Sequence, residues 1–109
     1  MTITYVDKTQ EQLPITTTEV YLTPTLSSAH IIYATATNIT ASNVTITVTI
    51  TKASPGVPAV YIERNIAAKT DINLNAIINR VLHTGDTVDA FASAASSINL
   101  DIGVKQVVT

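Results

Sequence analysis

Two histidines are the residues best suited to acid–base or metal chemistry in this chain. His83 stands three residues before Asp86 and close to Asp89, whereas His30 is distant in sequence. A zinc site or a general base requires an imidazole that converges with other ligands or carboxylates. The run His83-Thr-Gly85-Asp86 also has the composition of a tight turn in which Asp86 caps backbone amides. The sequence favours the capped turn over a catalytic His83/Asp86 pair.

Other catalytic and binding motifs are missing. The serines are not framed as Gly-x-Ser-x-Gly, and the three glycines are too dispersed for a phosphate-binding loop. The aspartates are too sparse for a calcium loop of the EF type. The chain has no cysteine, which excludes disulfides, thiolate zinc sites and cysteine nucleophiles. We therefore expect a protein that is not an enzyme and that holds no cofactor, metal or small-molecule substrate.

Composition and charge narrow the classes of partner. The chain has 109 residues, of which 13% are charged, and a formal net charge of −2. It therefore lacks the basic field that attracts nucleic acid or an anionic membrane surface. The apolar runs are too short for a membrane helix, and the first residues lack the features of a secretory signal. We expect a single domain, folded inside a cell, that contacts neither nucleic acid nor membrane.

The abundance of β-branched residues predicts a sheet protein. Isoleucine, valine and threonine account for 44 of the 109 residues, and such side chains pack well on a pleated surface. The clearest signal lies in residues 43–52. There, four aliphatic residues alternate with Thr45, Thr47, Thr49 and Thr51. Strand side chains point alternately to the two faces, so this segment is typical of a half-buried antiparallel strand.

Further strands are predicted from alternation between turn signals. They cover residues 15–23, 29–37, 59–64, 70–75, 87–94 and 98–108. Residues 76–82 fit either a strand or an irregular turn. Together these segments predict an all-β fold, an antiparallel β-sandwich or jelly-roll-like barrel of seven to eight strands, in one domain over residues 15–109.

Two local details also follow from these patterns. The last two strands read as a hairpin that turns across Ala95-Ser96-Ser97. In the strand over residues 29–37, strict alternation puts Ile31 and Tyr33 on one face and His30 and Ile32 on the other.

Residues 1–14 form a candidate N-terminal arm. The isolated apolar residues Ile3, Tyr5 and Val6 stand among polar residues and cannot form a core alone. Such a segment can pair with a sheet edge, its own or a neighbour's, through backbone hydrogen bonds. A frayed terminus is the alternative. We predict that the three apolar residues contribute to an interface.

The threonine row of residues 45–51 allows three interpretations. It can be a solvent face, or a packing surface for a neighbouring subunit, because threonine offers a methyl and a hydroxyl group without charge. An ice-binding array would need matching rows on adjacent strands, which Thr35/Thr37 or Thr16/Thr18 would have to supply. We assign Thr45, Thr47, Thr49 and Thr51 to the predicted interface.

Tyr61 and Arg64 complete the predicted interface. Tyrosine and arginine are enriched where protein–protein contacts concentrate their binding energy. Arg64 is one of only two arginines in the chain.

Several of these segments resemble small β-sandwich structural proteins of tailed bacteriophages and prophages. The resemblance lies in Leu22-Thr-Pro-Thr-Leu-Ser-Ser28, in Ile31-Ile32-Tyr33, and above all in Leu82-His-Thr-Gly85-Asp86 followed by an alternating strand that contains Ala92-Ser93-Ala94. In that family a leucine, two residues and Gly-Asp commonly precede an alternating Ala/Ser strand near the C-terminus. The likeness covers roughly residues 17–107.

The resemblance implies a non-enzymatic structural component of a bacteriophage virion, which acts in many copies by symmetric assembly. A capsid decoration or cement protein and a head–tail or tail accessory protein both fit this description. Its partners would be copies of itself and other virion proteins, and its location would be the virion. The alternative is a soluble β-sandwich module that binds carbohydrate or a cell surface. The scarcity of aromatic residues, 5% of the chain with no tryptophan, weakens that alternative.

Overall fold

The computed structural model describes residues 2–10, 12–54 and 56–108, which form nine β-strands. The strands are β1 (Thr2–Gln10), β2 (Thr18–Leu22), β3 (Ser27–Asn38), β4 (Val44–Thr51), β5 (Pro58–Ile66), β6 (Asp71–Asn73), β7 (Val81–His83), β8 (Thr87–Ala92) and β9 (Ile98–Val108). The all-β prediction is confirmed. The count exceeds the predicted seven to eight because residues 2–10 also form a strand.

The strands build two antiparallel sheets that pack as a sandwich. In the first sheet the order is β1-β9-β3, and the short strands β6 and β7 both pair with the far side of β3. In the second sheet the order is β2-β8-β4-β5. Successive strands alternate between the sheets over much of the chain, as in a jelly roll. The edges of the first sheet are therefore β1 on one side and the short β6 and β7 on the other, and the edges of the second sheet are β2 and β5.

The predicted hairpin between residues 87–94 and 98–108 is wrong. β8 pairs with β2 and β4 in the second sheet, whereas β9 pairs with β1 and β3 in the first. Residues 93–97 therefore cross from one sheet to the other. Alternation shows which face of a strand is buried but not which strand lies beside it, so two consecutive amphipathic strands look alike in both arrangements.

The core lies between the sheets and is built from aliphatic rows. β4 contributes Val44, Ile46, Val48 and Ile50, and β9 contributes Ile98, Leu100, Ile102 and Val104. All eight residues are at most 3% exposed. Burying one such side chain stabilises a fold by about 1.5–3 kcal/mol, so these rows hold the two sheets together. Their regular alternation is what fixes the outward positions of both strands.

A bulge in β3 changes one predicted face. The pairing with β9 shifts between Ile31 and Tyr33, so Ile32 is the extra residue. Ile31 is fully buried, whereas Tyr33 is 37% exposed and points outward with His30. The prediction that Ile31 and Tyr33 share a face is therefore wrong, because the bulge interrupts the period of two.

The segment 76–82, which the sequence left open, contains both a turn and a strand. Residues 75–79 form turns, in which the amide of Ile77 donates to the carbonyl of Leu74 over 3.1 Å and that of Arg80 to Ile77 over 3.2 Å. β7 then follows. Ile77 and Leu82 are both fully buried, which explains why the apolar spacing also resembled a helical stripe.

Candidate assembly surfaces

The Asp86 carboxylate fastens a turn, and the His83 imidazole takes no part in that arrangement. Asp86 is 3% exposed. Its Oδ1 accepts from the Ala53 amide over 2.9 Å, and its Oδ2 accepts from the His83 amide over 2.9 Å and from Lys52 Nζ over 3.1 Å. Burial raises the pKa of Asp86, but these three donors outweigh it and hold the pKa below its ordinary value. Asp86 therefore caps backbone amides, as the turn interpretation predicts.

A cavity of about 260 Å³ lies between β5 and the segment before β7. Its charged lining residues are Lys52 and Arg80, and its apolar lining residues are Ile50, Ala59, Val60, Val81 and Leu82. It contains no carboxylate or imidazole, so it offers no acid–base pair. No group of three or more His, Cys, Asp or Glu side chains gathers among the residues that the structure describes. The described segments also include no helix with the length and hydrophobicity needed to span a bilayer.

The N-terminal arm lies on an edge of its own sheet. β1 pairs with β9 in unbroken antiparallel register from Thr2↔Val108 to Gln10↔Leu100. Val104, opposite Val6, is buried in the core, which places Val6 on the inner side of the sheet, where it is half-buried. Ile3 and Tyr5 alternate with it and point outward, 46% and 69% exposed. Two of the three predicted arm residues thus share one outer surface.

Around Ile3 and Tyr5 the first sheet presents an exposed apolar surface. Register places Val107 beside Ile3, Lys105 beside Tyr5, and Val81 one strand beyond His30. Val81 is 52% exposed. We call this surface the apolar patch: it comprises Ile3, Tyr5, Val81 and Val107, which surround Lys105 and His30. None of its outward positions carries a carboxylate.

The other half of the same outer face is polar and acidic. Its outward positions include Asp7, Asp101 and Asp71. The Tyr33 hydroxyl donates to Asp7 Oδ1 over 2.8 Å, and the Thr9 hydroxyl donates to Asp101 Oδ1 over 3.1 Å. This outer face is therefore divided into an apolar half with one lysine and a half that holds its carboxylates.

The carboxyl groups of Asp7 on β1 and Asp101 on β9 affect each other's pKa. The hydrogen bond with Asp101 and the bond from Tyr33 lower the pKa of Asp7. The hydrogen bond with Asp7 and burial raise the pKa of Asp101. The bond to Asp7 and burial also raise the pKa of Tyr33 to about 12. Asp101 is thus the member of the pair that holds the proton more firmly.

The predicted threonine row lies on the outer face of the second sheet. Thr45, Thr49 and Thr51 are half-buried, and Thr47 is only 4% exposed because Phe91 and Glu63 stand on either side of it. The strands beside β4 are β5 and β8, and neither carries a matching threonine row. The arrangement that ice binding requires is absent from this sheet, all of whose residues are described.

Carboxylates frame the threonine row. Glu63 points outward from β5, Asp89 from β8, and Glu19 from β2, where it stands opposite Asp89. Tyr61 and Leu22, 64% and 51% exposed, lie on the same surface. We call this surface the acidic face: it comprises Glu19, Glu63 and Asp89 with Tyr61, Leu22 and the threonine row. No outward position of these four fully described strands carries a lysine or arginine.

Arg64 does not share the surface of Tyr61. It stands opposite the buried Ile46, so its side chain starts from the inner side of the sheet, although it is exposed because β5 is an edge. The predicted interface residues therefore divide between two opposite faces. Ile3 and Tyr5 lie on the first sheet, and the threonine row and Tyr61 lie on the second.

Sequence reasoning missed the neighbours that complete each surface. Lys105 and Val81 join the apolar patch, and Glu19 and Asp89 join the acidic face, through pairings between strands far apart in sequence. A signal for Lys105 was present, since it alternates with buried residues in β9 and so had to face outward. Its position beside Tyr5 depended on the register of β1.

Comparison with known proteins identifies the fold. Neither a protein-family model nor a curated protein sequence matches the chain. Among solved structures, a chain of the Bacillus endospore appendages, which form disulfide-linked pili, superposes with a TM-score of 0.59 and 16% identity over 99% of this chain and 90% of that chain. The T13 IBDV viral particle matches with a TM-score of 0.53 and 10% identity, and the infectious bursal disease virus Gx strain with 0.50 and 13%.

The match to the viral proteins is partial. This chain is covered over 97% and 95% of its length, but it spans only 31% and 32% of the two viral chains. At these identities the likeness shows a shared fold. The chain thus has a β-sandwich fold that also occurs in a pilus subunit and in chains of viral particles.

Proposed function

We propose that this chain is a non-enzymatic structural subunit that works in many copies by associating with itself. The observation that carries the proposal is the presence of two exposed surfaces of different character, the apolar patch and the acidic face, on opposite sides of one rigid sandwich. Tyr5 on one surface and Tyr61 on the other are 69% and 64% exposed, and aromatic side chains supply large contact area at interfaces.

The fold supports this proposal. The solved structures that share it include a chain of pili and chains of viral particles, which are assemblies of repeated subunits. The pili are disulfide-linked. This chain has no cysteine, so its copies are not linked by disulfides through these residues. Many weak contacts can still give a stable assembly, because each additional contact within an assembly becomes effectively intramolecular.

The more specific form of the proposal is a bacteriophage virion component, either a capsid decoration or cement protein or a head–tail or tail accessory protein. Its partners would be its own copies and other virion proteins, and it would reside in the virion. The support is the resemblance carried by Leu82-His-Thr-Gly85-Asp86. In the structure this run forms the end of β7 and the turn that the Asp86 carboxylate closes.

Size-exclusion chromatography with light scattering tests the general proposal. We expect the purified chain to form oligomers whose mass grows with concentration, and electron microscopy of the same sample to show rings, stacks or filaments. A chain that remains at its monomer mass of 11.6 kDa at high concentration contradicts the proposal. A stable monomer that binds glycans on an array would instead identify the carbohydrate-binding module.

A further inference from the structure

We infer that the apolar patch of one copy docks on the acidic face of the next. This inference rests on the proposed function and specifies the contact through which it would operate. The occupant of each surface is thus a second copy of this chain, bound through the opposite side of its sandwich.

Charge complementarity supports this pairing over the alternatives. The apolar patch carries Lys105 and no carboxylate, whereas the acidic face carries Glu19, Glu63 and Asp89 and no lysine or arginine. Two acidic faces brought together would repel each other. Two apolar patches would place one lysine near another. Opposite charges match when the patch of one copy meets the acidic face of another.

Exposed apolar side chains on both surfaces support the same pairing. The patch offers Tyr5 and Val81, 69% and 52% exposed, and the acidic face offers Tyr61 and Leu22, 64% and 51% exposed. Removing such groups from water favours association, and the charges on the two surfaces then select the partner and fix its orientation. Each surface therefore has both exposed apolar side chains and a charge sign.

The placement of the two surfaces determines the type of assembly. Because they lie on opposite sides of one molecule, a copy that binds through its patch leaves its acidic face free. Such a contact is heterologous: it closes into a ring or continues as a stack, and it does not stop at a dimer.

Chemical cross-linking of the native chain provides the first test. A zero-length carbodiimide reagent joins amines to carboxylates, and we expect links between Lys105 and Glu19, Glu63 or Asp89. Lys105 points away from all three within one molecule, so such links have to join two copies. A mixture of ¹⁴N- and ¹⁵N-labelled protein verifies this by mass spectrometry. An assembled sample in which Lys105 links to none of these carboxylates overturns the inference.

Two surface variants provide the second test. The patch variant combines Tyr5→Glu with Lys105→Glu, and the acidic-face variant combines Glu19→Lys with Glu63→Lys. We expect each variant alone to need a roughly tenfold or higher concentration to assemble. An equimolar mixture should associate at the original concentration, because the intact patch of one variant meets the intact acidic face of the other.

Three outcomes separate the possibilities. If each variant alone assembles like the parent chain, the docking inference fails and the proposed function stands. If only one variant loses assembly, or if both are monomeric and do not associate when mixed, the patch of one copy does not meet the acidic face of the next and the inference is again wrong. If the parent chain itself is monomeric, the proposed function fails as well. Asp71→Lys is the matched control, because it reverses one charge on the same outer face outside the patch, and we expect it to leave assembly unchanged.

Discussion

At the scale of single residues, Asp86 shows how one carboxylate organises the end of the sandwich near the turn before β8. It is buried at 3% exposure and accepts from the backbone amides of Ala53 and His83 and from Lys52 Nζ. It thereby ties the loop after β4 to the turn between β7 and β8. The Gly85-Asp86 pair in the sequence thus marks a turn that the Asp86 carboxylate holds together.

We expect Asp86→Asn to destabilise the fold by about 2–3 kcal/mol, because an amide cannot accept all three hydrogen bonds. The folded-state pKa of Asp86 lies below the ordinary 3.8. Its contribution is therefore present above pH 3.8 and is lost as the pH falls through the folded-state value. Urea unfolding at pH 7 and at pH 3 measures both effects, and the difference between Asp86→Asn and the parent chain should shrink at pH 3.

A matched control for Asp86 lies in the neighbouring turn. Thr23 is 2% exposed, its carbonyl accepts from the Gly85 amide over 3.1 Å, and its hydroxyl has no hydrogen-bond partner within residues 2–10, 12–54 and 56–108. Thr23→Val removes that unpaired hydroxyl and should leave stability unchanged or raise it. Equal losses for Thr23→Val and Asp86→Asn would mean that this turn is sensitive to any substitution.

For the aspartate pair Asp7 and Asp101, on β1 and β9, we predict that removing a carboxylate stabilises the fold, which is the opposite of the effect expected for Asp86. The pKa of Asp101 is raised above 3.8, so its carboxyl favours folding most at low pH, and this contribution falls as the pH rises through the raised value. The negative charge of Asp7 contributes to the raised pKa of Asp101, because the two carboxylates repel each other where both are ionised. We expect Asp101→Asn to raise stability at pH 7 by about 0.5 kcal/mol or less.

Urea midpoints of the parent chain and Asp101→Asn at pH 7 and pH 3.5 measure this difference. The gain should be smaller at the lower pH, where the proton already relieves the repulsion. Asp71→Asn is the control, because it removes a carboxylate from the same face at a distance from the pair. A loss of stability in Asp101→Asn at pH 7 would contradict the account.

Gly103 makes room for the Tyr33 ring. A Cβ atom at position 103 would lie 1.8 Å from Tyr33 Cε2, so the ring would have to move and its bond to Asp7 would break. We expect Gly103→Ala to cost about 1–3 kcal/mol. In a double-mutant cycle with Tyr33→Ala, Gly103→Ala should cost much less in the Tyr33→Ala background. Additive losses would show that the clash lies with the backbone instead.

At the scale of strands, alternation predicted burial better than it predicted pairing. The faces of β4 and β9 followed from period-two alternation, because each strand has one aliphatic row that only the core can accept. The prediction that β8 and β9 form a hairpin was wrong, because the alternating pattern of an amphipathic strand does not identify the strand with which it pairs. The prediction of which face Tyr33 points to was wrong, because the bulge in β3 adds one residue and the local sequence pattern gives no sign of it.

For the candidate surfaces, too, the sequence predicted which side chains point outward but not which of them lie side by side. The outward direction of Tyr61 and the threonine row followed from alternation in β4 and β5. The meeting of Tyr5 with Lys105, and of Glu19 with Asp89, depends on register between strands separated by most of the chain. Such register is set by the packing of the whole sandwich, so no local pattern contained it.

The N-terminal strand yields a prediction at this scale. β1 has no fully buried side chain, yet it covers the edge of β9 along its whole length. We expect deletion of residues 1–12 to leave a folded but less stable sandwich, because Leu13, which is fully buried, is retained. Assembly should be impaired, because Ile3 and Tyr5 are lost from the apolar patch.

Circular dichroism and light scattering of the truncated chain test both parts. The double substitution Ile3→Ser with Tyr5→Ser serves as control, because it keeps the strand and removes only the two outward apolar side chains. It should impair assembly with little loss of stability. If the truncated chain unfolds, residues 1–12 belong to the core of the fold and the arm is not a separable interface element.

At the scale of the whole molecule, the same composition accounts for the core and for the surfaces. Aliphatic rows of β-branched residues fill the space between the sheets, and few charges remain for the exterior. The charges that do remain are unevenly placed, with Lys105 in the apolar patch and three carboxylates on the acidic face. A sandwich with two unlike sides is suited to repeated contacts with copies of itself.

Sedimentation velocity over a series of rising protein concentrations tests self-association most directly. We expect species heavier than the 11.6 kDa monomer, which increase with concentration at low ionic strength and decrease when salt screens the charges at the contact. A single monomeric species across the whole series, at low and high salt alike, would contradict it.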